Sequence, residues 1–324
     1  VRLTKAGIEL EADPRHAELV AKELGIQGCK PSAVPGSKEE MKKGNGEDYD
    51  MDGKVNSGTR ARIELREIDS VASARKSAGD KEWLGQEVVG DDDESINGQE
   101  ESLEAADATL YWGVAARLNY ISPDRPDIAF AVKEAARNMS DPKPSDLRRL
   151  IKIGKYLRGK PRYVVEFRHQ SDVHCINGIG DSDFAGEVST RKSTSGGMTC
   201  LGDHVVKSWS STQSVIALST GEAELYALNK TAAQSLGLQS LLMDLGVEVS
   251  VRLHTDATTG RAIATRRGLG KVRHIAVNEL WLQEQVAERK VSIHKMKNKF
   301  NLADLLTKYL TAAEIGNIID FMQH

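Results

Sequence analysis

The sequence predicts an α/β fold. A small helical segment and an acidic linker come first, and a mixed sheet flanked by helices follows, opening as an antiparallel meander and closing with parallel crossovers. Three observations point there. After Pro161 the chain alternates short apolar runs with longer stretches whose apolar residues recur every three or four positions. Hydrophobic residues make up 40% and charged residues 28%, enough apolar material for a sizeable core. Between residues 31 and 104, by contrast, segments such as DDDESINGQEES are polar and poor in large apolar side chains, so they cannot bury enough area to offset the entropy of ordering.

The elements follow in order. KAGIELEADPRHAELVAKELG reads as a strand and then a helix, with Asp13 as cap, Pro14 at the first helical position and Gly25 at the end. Helices are expected at Tyr111–Asn119, from Pro126 through DIAFAVKEAARNM, and at Leu147–Leu157, the last ended by Gly159 and Pro161. Strands are expected at Tyr163–Phe167, His174–Gly180, Gly196–Leu201 and His204–Ser208. A long helix covers Ser219–Leu245, Val249–Thr255 is the next strand, and helices follow at Thr258–Thr265 and Ile275–Glu288. Val291–Met296 is the last strand, before closing helices at Leu302–Tyr309 and Ala312–Met322.

At 324 residues the chain is about twice the usual domain length, so two folded units, or one plus extensions, are expected. No apolar run approaches the roughly 18 residues a membrane span needs, and no signal-peptide pattern opens the chain, so no membrane partner is expected. Cys29, Cys175 and Cys200 lie far apart, which excludes a disulfide framework and a CxxC-type zinc site and suits a reducing, intracellular compartment. Val1 in place of Met suggests a piece of a longer polypeptide. Charge is spread unevenly: residues 1–110 are net acidic and 111–159 net basic, and 261–299 hold ten basic against three acidic side chains, with His274 and His294. Such an excess suits a phosphate backbone, although a solvated basic face gives the same count.

Several acids stand where a sheet would gather them. Asp181 and Asp183 end the stretch CINGIG and, two residues apart on a strand, share one face. Asp256 ends VSVRLHTD, and ligands of such sheets collect beyond the carboxyl ends of strands. Glu222 and Glu224 fall in the first turns of the long helix, and Asp304 sits among apolar residues in NLADLLTK. Clustered carboxylates repel one another. Hard divalent cations relieve that repulsion, and two of them about 3.5–4 Å apart can drive phosphodiester hydrolysis. Acids also end strands as turn formers, and helical periodicity leaves Glu222 and Glu224 equivalent, on opposite flanks of the Leu225/Leu228/Ala232 stripe.

The motifs TRKSTSGG, WSSTQSVIALSTGEAELYAL, HTDATTGRAI and NLADLLTK resemble the ribonuclease H domain of copia-type (Ty1/copia) retrotransposon Pol polyproteins. LNYISPDRPDIAFAVKEAAR and KIGKYLRGKPR resemble the connection segment upstream of that domain, and IELEADPRHAELVAKELG with CKPSAVPG is similar to the end of the reverse transcriptase. The resemblance implies a division into residues 1–30 (a remnant of the reverse transcriptase), 31–104 (the linker), 105–161 (helical connection), 162–310 (ribonuclease H-like domain) and 311–324 (C-terminal helix). It implies a five-stranded mixed sheet whose first three strands are antiparallel, and endonucleolytic cleavage of the RNA strand of RNA–DNA hybrids during reverse transcription.

Two Mg²⁺ or Mn²⁺ ions would be held by four acids. GDSDFAG places Asp181 on the family's first acid, the EAEY-like motif favours Glu224, the CDN-like strand end matches Asp256 and the AD-LTK motif matches Asp304. Asp183 and Glu222 remain second choices. Arg191, Lys192, Ser193 and Thr194, with Lys271, Arg273 and His274, are the candidate hybrid contacts. The expected partners are the hybrid and the reverse transcriptase portion of the same polyprotein, in a cytoplasmic retroelement particle and secondarily in the nucleus. The other function class is a catalytically silent nucleic-acid-binding remnant.

Departures from the pattern matter. Asp256 is followed by Ala257 and Thr258 rather than an Asn-Gln pair, and the loop Lys297–Asn301 lacks the histidine that cellular ribonucleases H carry there, so His294 reads as a surface or packing residue. DYDMDGKVN (Asp48–Asn56) is the front half of an EF-hand loop, but Thr59 stands where the closing Glu is needed. No paired aspartates on a tight hairpin occur between Val1 and Glu104, so polymerase activity is not expected.

Overall fold

The computed structural model describes residues 1–37, 101–171, 173–270 and 274–323. Most of the acidic linker, the half EF-hand loop, Lys271 and Arg273 lie outside the described residues. The described residues form two compact units that interleave along the chain: Val1–Asp13, Asn119–Glu134 and Arg162–His324 make the first, and Pro14–Leu118 with Ala135–Pro161 the second.

In the first unit, β1 (Arg2–Leu3) and β2 (Gly7–Glu11) pair antiparallel, and β2 pairs with β3 (Val164–Arg168) from Gly7↔Arg168 to Glu11↔Val164. The run expected as the leading strand of the meander therefore belongs to a separate three-stranded sheet. Its alternation marked a strand, but the partner lies more than 150 residues away in the chain, where no local pattern can find it.

In the second unit α1 (Pro14–Glu23) starts at the expected proline, and α2 (Ala105–Ile121) leads out of this unit. The chain passes through α3 (Pro126–Ala135) before returning to α4 (Pro144–Gly159), against which α1 packs. Asp146 in the first turn of α4 is fully buried, which is tolerable because Asn138, the Lys143 amide and Arg149 all donate to it.

The principal sheet of the first unit has five strands: β4 (Cys175–Asp183), β5 (Thr194–Leu201), β6 (His204–Thr212), β7 (Ser250–Thr255) and β8 (Val291–Lys295). Their order is β6-β5-β4-β7-β8; the first three are antiparallel, and β7 and β8 run parallel to β4. Five mixed strands with the first three antiparallel are what the resemblance implies. The parallel pairs require crossovers, supplied by α5 (Thr220–Asp244) between β6 and β7, and by α6 (Thr258–Thr265) and α7 (Trp281–Ala287) between β7 and β8. Ser219 caps α5 by accepting from the Glu222 amide, and the Leu225/Leu228/Ala232 stripe packs against Ile176, Val251 and Leu253 of the sheet.

Two expected helices are shorter than their patterns suggest. Val277–Leu280 is a 3₁₀ turn before α7, and Leu302–Leu306 is a 3₁₀ turn in place of a helix to Tyr309. The second is shaped by the Asn301 side chain, which accepts from the Ala303 amide, and by Thr307, whose hydroxyl is bonded to Asp181. The closing helix α8 spans Ala312–Gln323. Among the described residues no helix is long and apolar enough to cross a membrane.

Candidate metal centre

Three elements of different sequence origin end at one edge of the five-stranded sheet. β4 carries Asp181, opposite Gly196 of β5. β7, parallel to β4, delivers Asp256 just past its carboxyl end, and the first turns of α5 bring Glu224. One carboxylate oxygen from each of Asp181, Glu224 and Asp256 lies within 4.8 Å of the others. Asp181 and Glu224 are buried, at 4% and 8% exposure.

The 3₁₀ turn after β8 supplies the rest. Asn301 donates from one amide nitrogen to Asp181 Oδ1 at 3.0 Å and Asp256 Oδ2 at 3.3 Å, and the Thr307 hydroxyl donates to the other Asp181 oxygen. Asp304 adjoins the three converging acids; its Oδ1 forms an ion pair with Lys308 Nζ at 2.9 Å. On the helix side, Ser182 Oγ donates to Glu224 Oε1 at 2.9 Å.

The remaining Glu224 oxygen, Oε2, is buried without a hydrogen-bond partner. A buried carboxylate oxygen without a donor is costly unless something positive meets it. The titration behaviour agrees. Burial, with the Asp181 charge next in effect, pushes Glu224 up to about 8 against the weaker pull of the Ser182 bond. Burial also raises Asp181 above the carboxylate range, opposed by the Thr307 bond and reinforced by Asp304, and it raises Asp304 despite the bond from Lys308. An all-oxygen set of close, partly buried carboxylates with an orphaned oxygen fits a hard divalent cation.

The second choices are placed elsewhere. Glu222 faces away from the three acids and is saturated: His274 Nε2 lies 2.8 Å from Oε2, the Leu218 amide donates to the same oxygen at 3.0 Å, and the Tyr226 hydroxyl donates to Oε1 at 2.6 Å. Burial opposes its ionisation, but the bonds from His274, Tyr226 and Leu218 outweigh it and hold the carboxyl below its ordinary range. Asp183 is outside the converging set.

Among the candidate hybrid contacts, Arg191 is exposed, Lys192 is half-exposed and His274 is exposed enough to reach solvent beyond Glu222. Ser193 and Thr194 are buried, their hydroxyls accepting from the Ala185 amide and from Lys133 Nζ. His294 is exposed, stacks on His254 at 5.6 Å and bonds Ser292, as a surface packing residue does.

No family model matches the chain. Over 215 residues, 65% of its length, it is 28% identical to the retrovirus-related Pol polyprotein from transposon RE1 of Arabidopsis thaliana, and two further plant transposon Pol polyproteins match at 27% and 28% identity. These relatives are Pol polyproteins of copia-type transposons, and the chain is similar to one segment of them. It spans 14% of the RE1 polyprotein's length. Over 114 residues, 35% of its length, the chain is 34% identical to the secreted RxLR effector protein 161 of Plasmopara viticola, 80% of which is covered. A crystal structure of LC11-RNase H1 in complex with RNA/DNA hybrid matches 41% of this chain and 92% of its own at 16% identity, with a TM-score of 0.29.

Asn301, Ser182, Thr307 and Lys308 are the polar residues of this site that sequence reading left out. All stand in or beside the motifs that flagged the acids, and that adjacency is the signal that could have found them. Two glycines make the close approach possible. A Cβ on Gly196 would lie 2.7 Å from Thr307 Cγ2 and 2.8 Å from Leu306 Cβ, and one on Gly260 of α6 would lie 2.7 Å from Glu224 Cβ. Gly196→Ala is expected to lower the denaturant midpoint, at a cost of about 1–3 kcal/mol from overpacking, and to loosen the Thr307 bond. An unchanged midpoint in urea titrations would show that the turn gives way freely.

Proposed function

We propose that this chain is a ribonuclease H-type endonuclease that hydrolyses the RNA strand of RNA–DNA hybrids with two Mg²⁺ or Mn²⁺ ions. The convergence of Asp181, Glu224 and Asp256 beside Asp304, with a buried Glu224 oxygen left for a cation, supports the reading above all else. Asp181, Glu224, Asp256 and Asp304 would hold the ions, which when bound supply an activated water and stabilisation of the leaving oxygen. Asn301 and Thr307 orient Asp181 and Asp256, and Ser182 orients Glu224, so that the ligand oxygens are held before substrate arrives. Arg191 and Lys192 would meet phosphates, while a hybrid would be distinguished by its shape and 2′-hydroxyls rather than by sequence.

On this reading the chain works next to the reverse transcriptase portion of its own polyprotein, within an intracellular retroelement particle, and residues 1–30, 105–161 and 162–310 descend from reverse transcriptase, connection and ribonuclease H segments. The test is cleavage of end-labelled substrates in Mg²⁺. The RNA strand of a hybrid is expected to be cut internally while duplex DNA stays intact. Tight hybrid binding in Ca²⁺ with no cleavage in Mg²⁺ would instead identify a silent binding remnant.

A further inference from the structure

The eight residues Asn301–Lys308 meet the acidic cluster with a different kind of donor at three points: an amide on Asp181 and Asp256, a hydroxyl on Asp181, and an ammonium on Asp304. The last of these carries a full positive charge. Lys308 Nζ sits 2.9 Å from Asp304 Oδ1, one turn back along the chain, and is close enough to Asp181 and Asp256 to feel both charges. Its side chain remains 34% exposed, so the four-carbon stem has solvent to swing into.

Resting on the metal-site reading above, we infer that Lys308 is a resident counter-cation: it neutralises the cluster when no divalent ion is bound, and a divalent ion must take Asp304 from it. Carboxylates whose oxygens lie within 4.8 Å of one another repel strongly, and without a cation the fold would bear that repulsion directly. An ammonium and a divalent ion compete for the same Asp304 oxygen and repel each other, so occupancy by one lowers affinity for the other. Lysine suits the role better than arginine. It is a compact charge on a flexible stem with one contact to release, whereas a guanidinium forks onto carboxylates through two bonds and resists displacement.

The measurement is Mn²⁺ binding to the whole chain by isothermal titration calorimetry, with thermal melts followed by circular dichroism with and without Mn²⁺. Lys308→Met is expected to bind Mn²⁺ about tenfold more tightly than the native chain, melt at a lower temperature without metal, and gain more from Mn²⁺. Lys308→Arg, which keeps the charge, should bind Mn²⁺ no more tightly than the native chain. Should Lys308→Met fail to fold without metal, Lys308→Gln is read in its place against the same expectations. Native or weaker Mn²⁺ affinity in the neutral variant, beside normal binding by the native chain, overturns this inference and leaves the nuclease reading standing. No Mn²⁺ binding by any form overturns both.

Discussion

Asp181→Asn is expected to abolish hybrid hydrolysis, by about 10³-fold or more in Mg²⁺, while leaving the fold intact. Asp181 is the acid on which most of the site converges. It shares the Asn301 amide with Asp256, takes the Thr307 hydroxyl, and has an oxygen within 4.8 Å of Glu224 and Asp256. Asparagine matches its shape but removes the charge a divalent cation needs, and its NH₂ cannot accept from Asn301 or Thr307. One of those two bonds is therefore lost. In return the buried repulsion among the carboxylates falls, so the metal-free melting temperature should stay level or rise, and the gain on adding Mg²⁺ should shrink. His294→Ala is the matched control, because that side chain is exposed and engaged with His254 and Ser292. If Asp181→Asn cleaves within tenfold of the native rate, these acids are not the catalytic set.

The second large effect is a pH-dependent stability that a metal ion reverses. Glu224 rises from 4.5 to about 8, through burial first and the Asp181 charge second. Between those values the folded chain holds a proton on Glu224 that the unfolded chain has released, so folding stability falls as pH climbs through this window. Asp181 and Asp304, also raised, push in the same direction. Glu222, held low by its partners, acts oppositely: its contribution is present above its unfolded value and is lost only in acid.

Comparing the native chain with Glu224→Gln separates the two. Without divalent ions the native melting temperature should drop by several degrees relative to Glu224→Gln between pH 5 and pH 8. Mn²⁺ at pH 8 should restore the native chain and do little for the variant. Parallel pH profiles for the two proteins would show that Glu224 does not titrate with folding.

Much of this was legible in the chain. The Pro14 start of α1, the long helix after Ser219 with its Leu225/Leu228/Ala232 stripe, and the strands ending near Asp181 and Asp256 all follow from local periodicity and capping, interactions confined to a few neighbouring residues. The acids were flagged because their types, at strand and helix ends, already implied oxygen-ligand chemistry.

Three things came only with the tertiary structure. The run at Tyr163–Phe167 pairs with β2 rather than entering the meander, because strand pairing is a long-range choice. Glu222 and Glu224, equivalent by helical angle, part ways because His274, Tyr226 and Leu218 claim one, while β4 and β7 surround the other with carboxylates. Ser193 and Thr194, polar in a basic loop, turn inward to Ala185 and Lys133. In each case the deciding quantity is a distance between groups far apart in sequence. Repulsion, desolvation and hydrogen bonding depend on such distances, and residue order alone does not contain them.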